Sequence, residues 1–188
     1  MRQVPVLVHT AAGVVVLVRG RESELQLLTD LLQPGNDAAG VLLHGEAGIG
    51  KSRLLEQVVG LARPERLVLV SRACASEADL PYVGLADLLG GVPADVLEPA
   101  LAGLPAPQRT ALEVALLQRT EPSTGQQVLA VHLAVLHVLR QVAVEHRLLV
   151  VLDDALWLDP ESAAALAFAA RRACWPVLAA ARTEAAAP

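Results

Sequence analysis

The stretch Gly45-Glu46-Ala47-Gly48-Ile49-Gly50-Lys51-Ser52, GEAGIGKS, decides how the rest of the chain is read. It fits the pattern G-x-x-x-x-G-K-[ST] at every position. Glycines let a loop curl until its backbone N–H groups converge on an anion. A helix opening where the loop ends points its positive N-terminus at the same place. Lys51 is the only lysine; the other fourteen of the 15 basic residues are arginine. A compact ammonium on a flexible stem reaches β- and γ-phosphates where the rigid guanidinium fork does not substitute well. Ser52 adds a hydroxyl suited to Mg²⁺. The stretch predicts a phosphate loop for ATP with Mg²⁺. Gly45, Glu46, Ala47, Gly48, Ile49, Gly50, Lys51 and Ser52 are its cofactor-binding positions, and Ser52 is also a metal ligand.

The flanks agree. Residues 40–45, GVLLHG, are a short apolar run between glycines and suit a buried parallel strand. Residues 51–62, KSRLLEQVVGLA, carry apolar pairs at 54/55 and 58/59, a helix with one apolar face. Further out, RESELQLLTDLLQPGN predicts a helix that stops at Pro34-Gly35, and RLVLVSRAC predicts a second strand. A long middle from Leu80 to about Arg147 has proline breaks at 93, 99, 105, 107 and 122, with helical patterns near 108–119 and 126–146. PESAAALAFAARRA reads as a helix with Pro160 in its first turn and Arg171-Arg172 in its last. PVLAAAR reads as a final strand. Strands alternating with helices predict an α/β fold with a mainly parallel sheet.

The second half of the site is residues 147–154, RLLVVLDD. A buried strand here ends in two carboxylates, over the crevice where such sheets bind ligands. Asp153 is the expected Mg²⁺ ligand. Asp154 is the expected catalytic group that orients or deprotonates water.

Composition bounds the rest. The chain has 188 residues, 54% hydrophobic but only 2% aromatic, with mean hydropathy +0.46, so its core is Leu, Val and Ala. Net charge is −5, and no Lys/Arg-rich run appears, which argues against direct nucleic-acid or membrane binding. Cys74 and Cys174 are one hundred positions apart and read as small buried apolar residues in a reducing cytoplasm. His132 and His137 lie on an apolar helix with no third ligand nearby. Trp157 is expected to pack beneath the site, Trp175 at the edge of the last strand, and Tyr82 in the turn LPYVG. Residues 1–17 read as an N-terminal leader or edge strand, and 18–188 as the ATPase core.

The chain resembles the N-terminal nucleotide-binding domain of large ATP-binding LuxR-type transcriptional regulators, within the signal-transducing ATPases (STAND) related to the AAA+ class. The resemblance rests on GRESEL (20–25), LLHGEAGIGKSRLLE (42–56), EADLPYVGLADLL (77–89), LPAPQRTALEVAL (104–116), LLVVLDDALWLDPESAAALAFAARR (148–172) and PVLAAAR (176–182). It implies a P-loop, AAA+-like three-layer sandwich with strand order 5-1-4-3-2. It adds Gly20 and Arg21 as cofactor-binding residues at the domain entrance, and Arg182 as a catalytic sensor facing the γ-phosphate. Lys51 joins Asp154 and Arg182 as a catalytic residue.

Two positions depart from the family. Arg19 stands where an apolar residue usually precedes Gly20, and Leu156 replaces an often polar residue, which implies weaker hydrolysis. The family's fifth strand, lid, helical repeats and DNA-binding helix-turn-helix have no counterpart within the 188 residues. This chain is therefore expected to bind ATP weakly, turn it over slowly and discriminate poorly against GTP. The expected function is a slowly hydrolysing ATP/ADP switch of such a regulator, with self-association, a regulatory protein or an inducer acting through the further domains. The alternatives are a stand-alone ATPase acting on a protein partner and an inactive fragment.

Overall fold

The computed structural model describes residues 6–9, 15–18, 21–33, 40–116, 125–172 and 175–182. Among them are four parallel strands: β3 (Gly40–Gly45), β4 (Leu67–Arg72), β5 (Leu148–Asp153) and β6 (Val177–Arg182), after an N-terminal hairpin of β1 (Val6–His9) and β2 (Val15–Val18). The sheet order is β2-β1-β3-β6-β5-β4. The four parallel strands thus run in the order 1-4-3-2 that the resemblance implies. On the far side of β3, β1 pairs antiparallel, with Val6 opposite Leu43 and His9 opposite Gly40. The edge where the resemblance implies a parallel fifth strand is taken by this hairpin.

Helices α1 (Arg21–Leu31) and α2 (Lys51–Ala62) cover one face of the sheet. Helices α3 (Val83–Gly90), α4 (Ala94–Ala102), α5 (Ala106–Leu116), α6 (Gly125–Glu145) and α7 (Pro160–Ala170) form the other layer. The fold is the expected α/β three-layer sandwich of the P-loop, AAA-like kind. The pleat divides the core by alternation. Leu149 and Val151 of β5 pack with Leu54, Leu55 and Val58 of α2, whereas Leu148 and Val150 pack with α6 and α7. Helix α6 is long and apolar enough to cross a membrane by length and composition. Its Val131, Ala134, Val135, Val138, Leu139 and Val142 are instead buried in the core.

Four expectations change. Helices α3 and α4 occupy the proline-dense middle, and Pro99 sits inside α4, where its missing N–H costs a nine-residue helix a single bond. Helix α7 ends at Ala170, with Arg171 as its C-cap, so neither arginine is in its last turn; Arg172 stacks on Phe168 at 3.6 Å. Trp157 is 38% exposed rather than packed beneath the site, at the end of the short 3-10 turn that follows Asp154. Cys74 is exposed in the turn after β4, its Sγ 3.2 Å from Ser76 Oγ. Cys174, Pro34 and Gly35 lie outside the described residues. Trp175, just before β6, and Tyr82, in the turn before α3, are both buried in the core.

Candidate functional site

Parallel strands put their C-terminal ends on one side, and the candidate residues follow from that. β6 lies between β3 and β5, with Gly45 opposite Arg182. The phosphate-loop stretch, the Asp pair and Arg182 therefore gather at one edge of the sheet.

The loop curls through Gly48 at φ 74° and Gly50 at φ 101°, the left-handed region that glycine occupies without cost. Gly50 is also the N-cap residue of α2, without a side-chain cap, so the first N–H groups of that helix have no side-chain partner from the cap. Lys51 is 6% exposed. Its Nζ donates to the carbonyl oxygens of Gly45 at 2.8 Å and Glu46 at 2.9 Å. Burial pushes the Lys51 ammonium below its ordinary value, and Arg182 adds to that, while Asp154 and Asp153 pull it back up.

Two further pairs complete the cluster. Ser52 Oγ donates to Asp153 Oδ1 at 3.0 Å, joining the helix start to the strand end. The same oxygen accepts the Asp154 N–H at 3.0 Å. Arg182 grips Asp154 with Nη2 to Oδ2 at 2.9 Å and Nε to Oδ1 at 3.2 Å. That hydrogen bond holds the Asp154 carboxyl below the usual carboxylate range against the opposing effect of burial, with the charges of Arg182 and Lys51 helping. The arginine is raised in return.

The geometry brings together Lys51, Ser52, Asp153, Asp154 and Arg182. Gly20 lies outside the described residues, and Arg21 opens α1 with its side chain also outside them. Leu156 is 51% exposed in the short 3-10 turn Ala155–Trp157. The donors suit a magnesium-bound polyphosphate on two observations. The loop's one ammonium is held at its mouth by the Gly45 and Glu46 carbonyls, and a hydroxyl and a carboxylate converge within 3.0 Å.

Sequence reasoning missed Asp159 and Ser162, both buried, at the start of α7. Asp159 caps α7 by accepting the Ser162 N–H at 2.9 Å. The signal was present, since an Asp directly before the helix-opening Pro160 is a strong N-cap pattern.

A family model described as AAA ATPase domain matches residues 17–178. Neither a curated protein nor a solved structure matches the chain.

Proposed function

The chain belongs to the AAA ATPase domain family, and from that premise we propose that it is a Mg²⁺-dependent, slowly hydrolysing ATP switch. The observation that carries this reading is the mutual pairing of Lys51 with the loop, Ser52 with Asp153, and Arg182 with Asp154 at one sheet edge. Each group is held by a partner that an entering triphosphate would replace.

In this reading Lys51 leaves the Gly45 and Glu46 carbonyls for the β- and γ-phosphates. The N–H groups of the loop and of α2 bind the phosphate oxygens, aided by the helix dipole. Ser52 and Asp153 hold Mg²⁺, which when bound neutralises phosphate charge. Asp154 orients the attacking water and Arg182 turns toward the γ-phosphate. Arg21 and Gly20 contribute at the entrance. The slow rate in this reading follows from Leu156, which supplies no polar group beside the Asp pair, and from the exchange of the Arg182–Asp154 pair that must precede chemistry.

The biological setting we propose is the cytoplasm, as the switch module of a LuxR-type transcriptional regulator, with residues 18–188 as the ATPase core and 1–17 as a leader or edge strand. Two stretches of the resemblance support it. LPYVGLADLL and DDALWLDPESAAAL are joined in space, with Asp159 accepting the Tyr82 and Gly84 N–H groups. Nucleic-acid contact and responses to partners or inducers belong in this reading to other domains of such a regulator.

The test is a calorimetric titration of ATP and of ADP with and without Mg²⁺, followed by phosphate release. Mg²⁺-dependent ATP binding with slow release is expected. Binding that ignores Mg²⁺, or rapid multiple turnover, contradicts the switch.

A further inference from the structure

Asp159 is 2% exposed, and its carboxylate meets three backbone N–H groups from two helices. Oδ1 accepts from Tyr82 at 2.8 Å and from Ser162 at 2.9 Å, and Oδ2 accepts from Gly84 at 3.0 Å. Alongside, Ser162 Oγ accepts the Leu85 N–H at 2.8 Å. Helix α3 has no side-chain cap of its own. Its orphan donors are satisfied from α7, 77 and 75 residues away in the chain.

Two independent features tie this joint to the candidate site. Among the described residues, the non-glycine residues at positive φ are Tyr82 at 65° and Asp154 at 49°. Such conformations persist where the surroundings over-determine them. Tyr82 donates directly to Asp159. Asp154 is separated from Asp159 by one tight turn, in which the Trp157 N–H reaches the Asp154 carbonyl at 2.9 Å and the Leu158 N–H reaches Ala155 at 3.3 Å. There is little slack between the two carboxylates. From the other side, a Cβ on Gly84 would stand 2.1 Å from Leu158 Cδ1, so the start of α3 lies directly against this turn.

On the reading of the site given above, we infer that Asp159 is a positioning residue for Asp154, tying the turn that carries it to the N-terminus of α3. Asp159 touches no reacting atom. It holds the left-handed turn so that the Asp154 carboxylate stands over the crevice. A displacement of the 73–82 loop or of α3 is then felt at Asp154, while Lys51, held by the Gly45 and Glu46 carbonyls at the start of α2, keeps its place.

The experiment compares the 188-residue wild type with Asp159→Asn, and with Gly84→Ala as a gentler push on the same turn should Asp159→Asn not fold. Asparagine keeps the shape but turns one acceptor into a donor facing an N–H. Amide hydrogen exchange, read without nucleotide, should quicken at Tyr82, Gly84, Asp154 and Trp157 and stay unchanged in the centre of β5. Under Mg²⁺ and ATP, Kd should stay within about twofold while turnover falls about tenfold or more, the split expected when only the reacting geometry is lost. Unchanged exchange at Asp154 and Trp157 overturns the coupling. Exchange that quickens with turnover unchanged, or Kd and turnover lost in equal measure, overturns the positioning role. A wild type that binds no ATP defeats the ATP reading instead, and exchange still decides the coupling.

Discussion

Arg182 holds Asp154 through two hydrogen bonds, 2.9 and 3.2 Å, across neighbouring strand ends. The strand order brings these residues, 28 apart in sequence, face to face. The bond links the two groups expected to act on the γ-phosphate and on water, and several outcomes follow from it.

Removing the Asp154 carboxylate should separate binding from chemistry. Asp154→Asn keeps a side chain that tolerates the left-handed conformation and leaves Ser52 and Asp153 intact. ATP affinity is expected to hold. Hydrolysis is expected to fall on the order of 10²–10⁴-fold, the usual contribution of a positioned base. Phosphate release alongside calorimetry checks this. An affinity loss as large as that of a Lys51 variant would place Asp154 in the metal shell.

The same substitution gives a pH signature. Arg182 depresses the Asp154 carboxyl below its ordinary 3.8, so the pair contributes fully above about pH 4. The contribution is lost as pH falls through the lowered folded value. The side chains are 46% and 27% exposed, so solvent screens the pair and its gain at pH 7 is small. Urea melts of wild type and Asp154→Asn should differ slightly at pH 7 and converge in acid. A gap that widens below pH 4 would contradict the pairing.

Two glycines of the loop and its helix should respond with opposite signs. Gly50 is at φ 101°, so Gly50→Ala is expected to cost about 1–2 kcal/mol and to spoil the loop for phosphate. Gly60 lies inside α2, with open space where a Cβ would go and no positive φ. Gly60→Ala is expected to add about 0.5–1 kcal/mol and leave nucleotide binding alone. Thermal melts of the two variants test the assignment.

Much of this architecture can be read along the chain, because its elements carry local signals. The glycine-bounded run 40–45 and the apolar face of 51–62 coincide with β3 and α2 end to end. The phosphate loop, Asp153 and Asp154 are visible for the same reason, since each sits at a strand end followed by a turn. Helix α3 is hidden, because its cap is a carboxylate 77 residues away. The place of β6 between β3 and β5, with Arg182 at the site, comes only through the family resemblance, and the bond from Arg182 to Asp154 is hidden because no local pattern in either stretch names its partner. Trp157 shows the limit of hydropathy, since this apolar ring is 38% exposed at the end of a 3-10 turn that the sequence pattern does not announce.

On the proposed function, Lys51, which donates here to the Gly45 and Glu46 carbonyls, is the charge that binds the triphosphate. Calorimetric titration of Mg²⁺-ATP into wild type and Lys51→Ala tests it most directly. A loss of about 2 kcal/mol or more is expected, a Kd weakened roughly 30-fold or beyond, with the variant still folded by circular dichroism. An unchanged dissociation constant in the folded variant would contradict it.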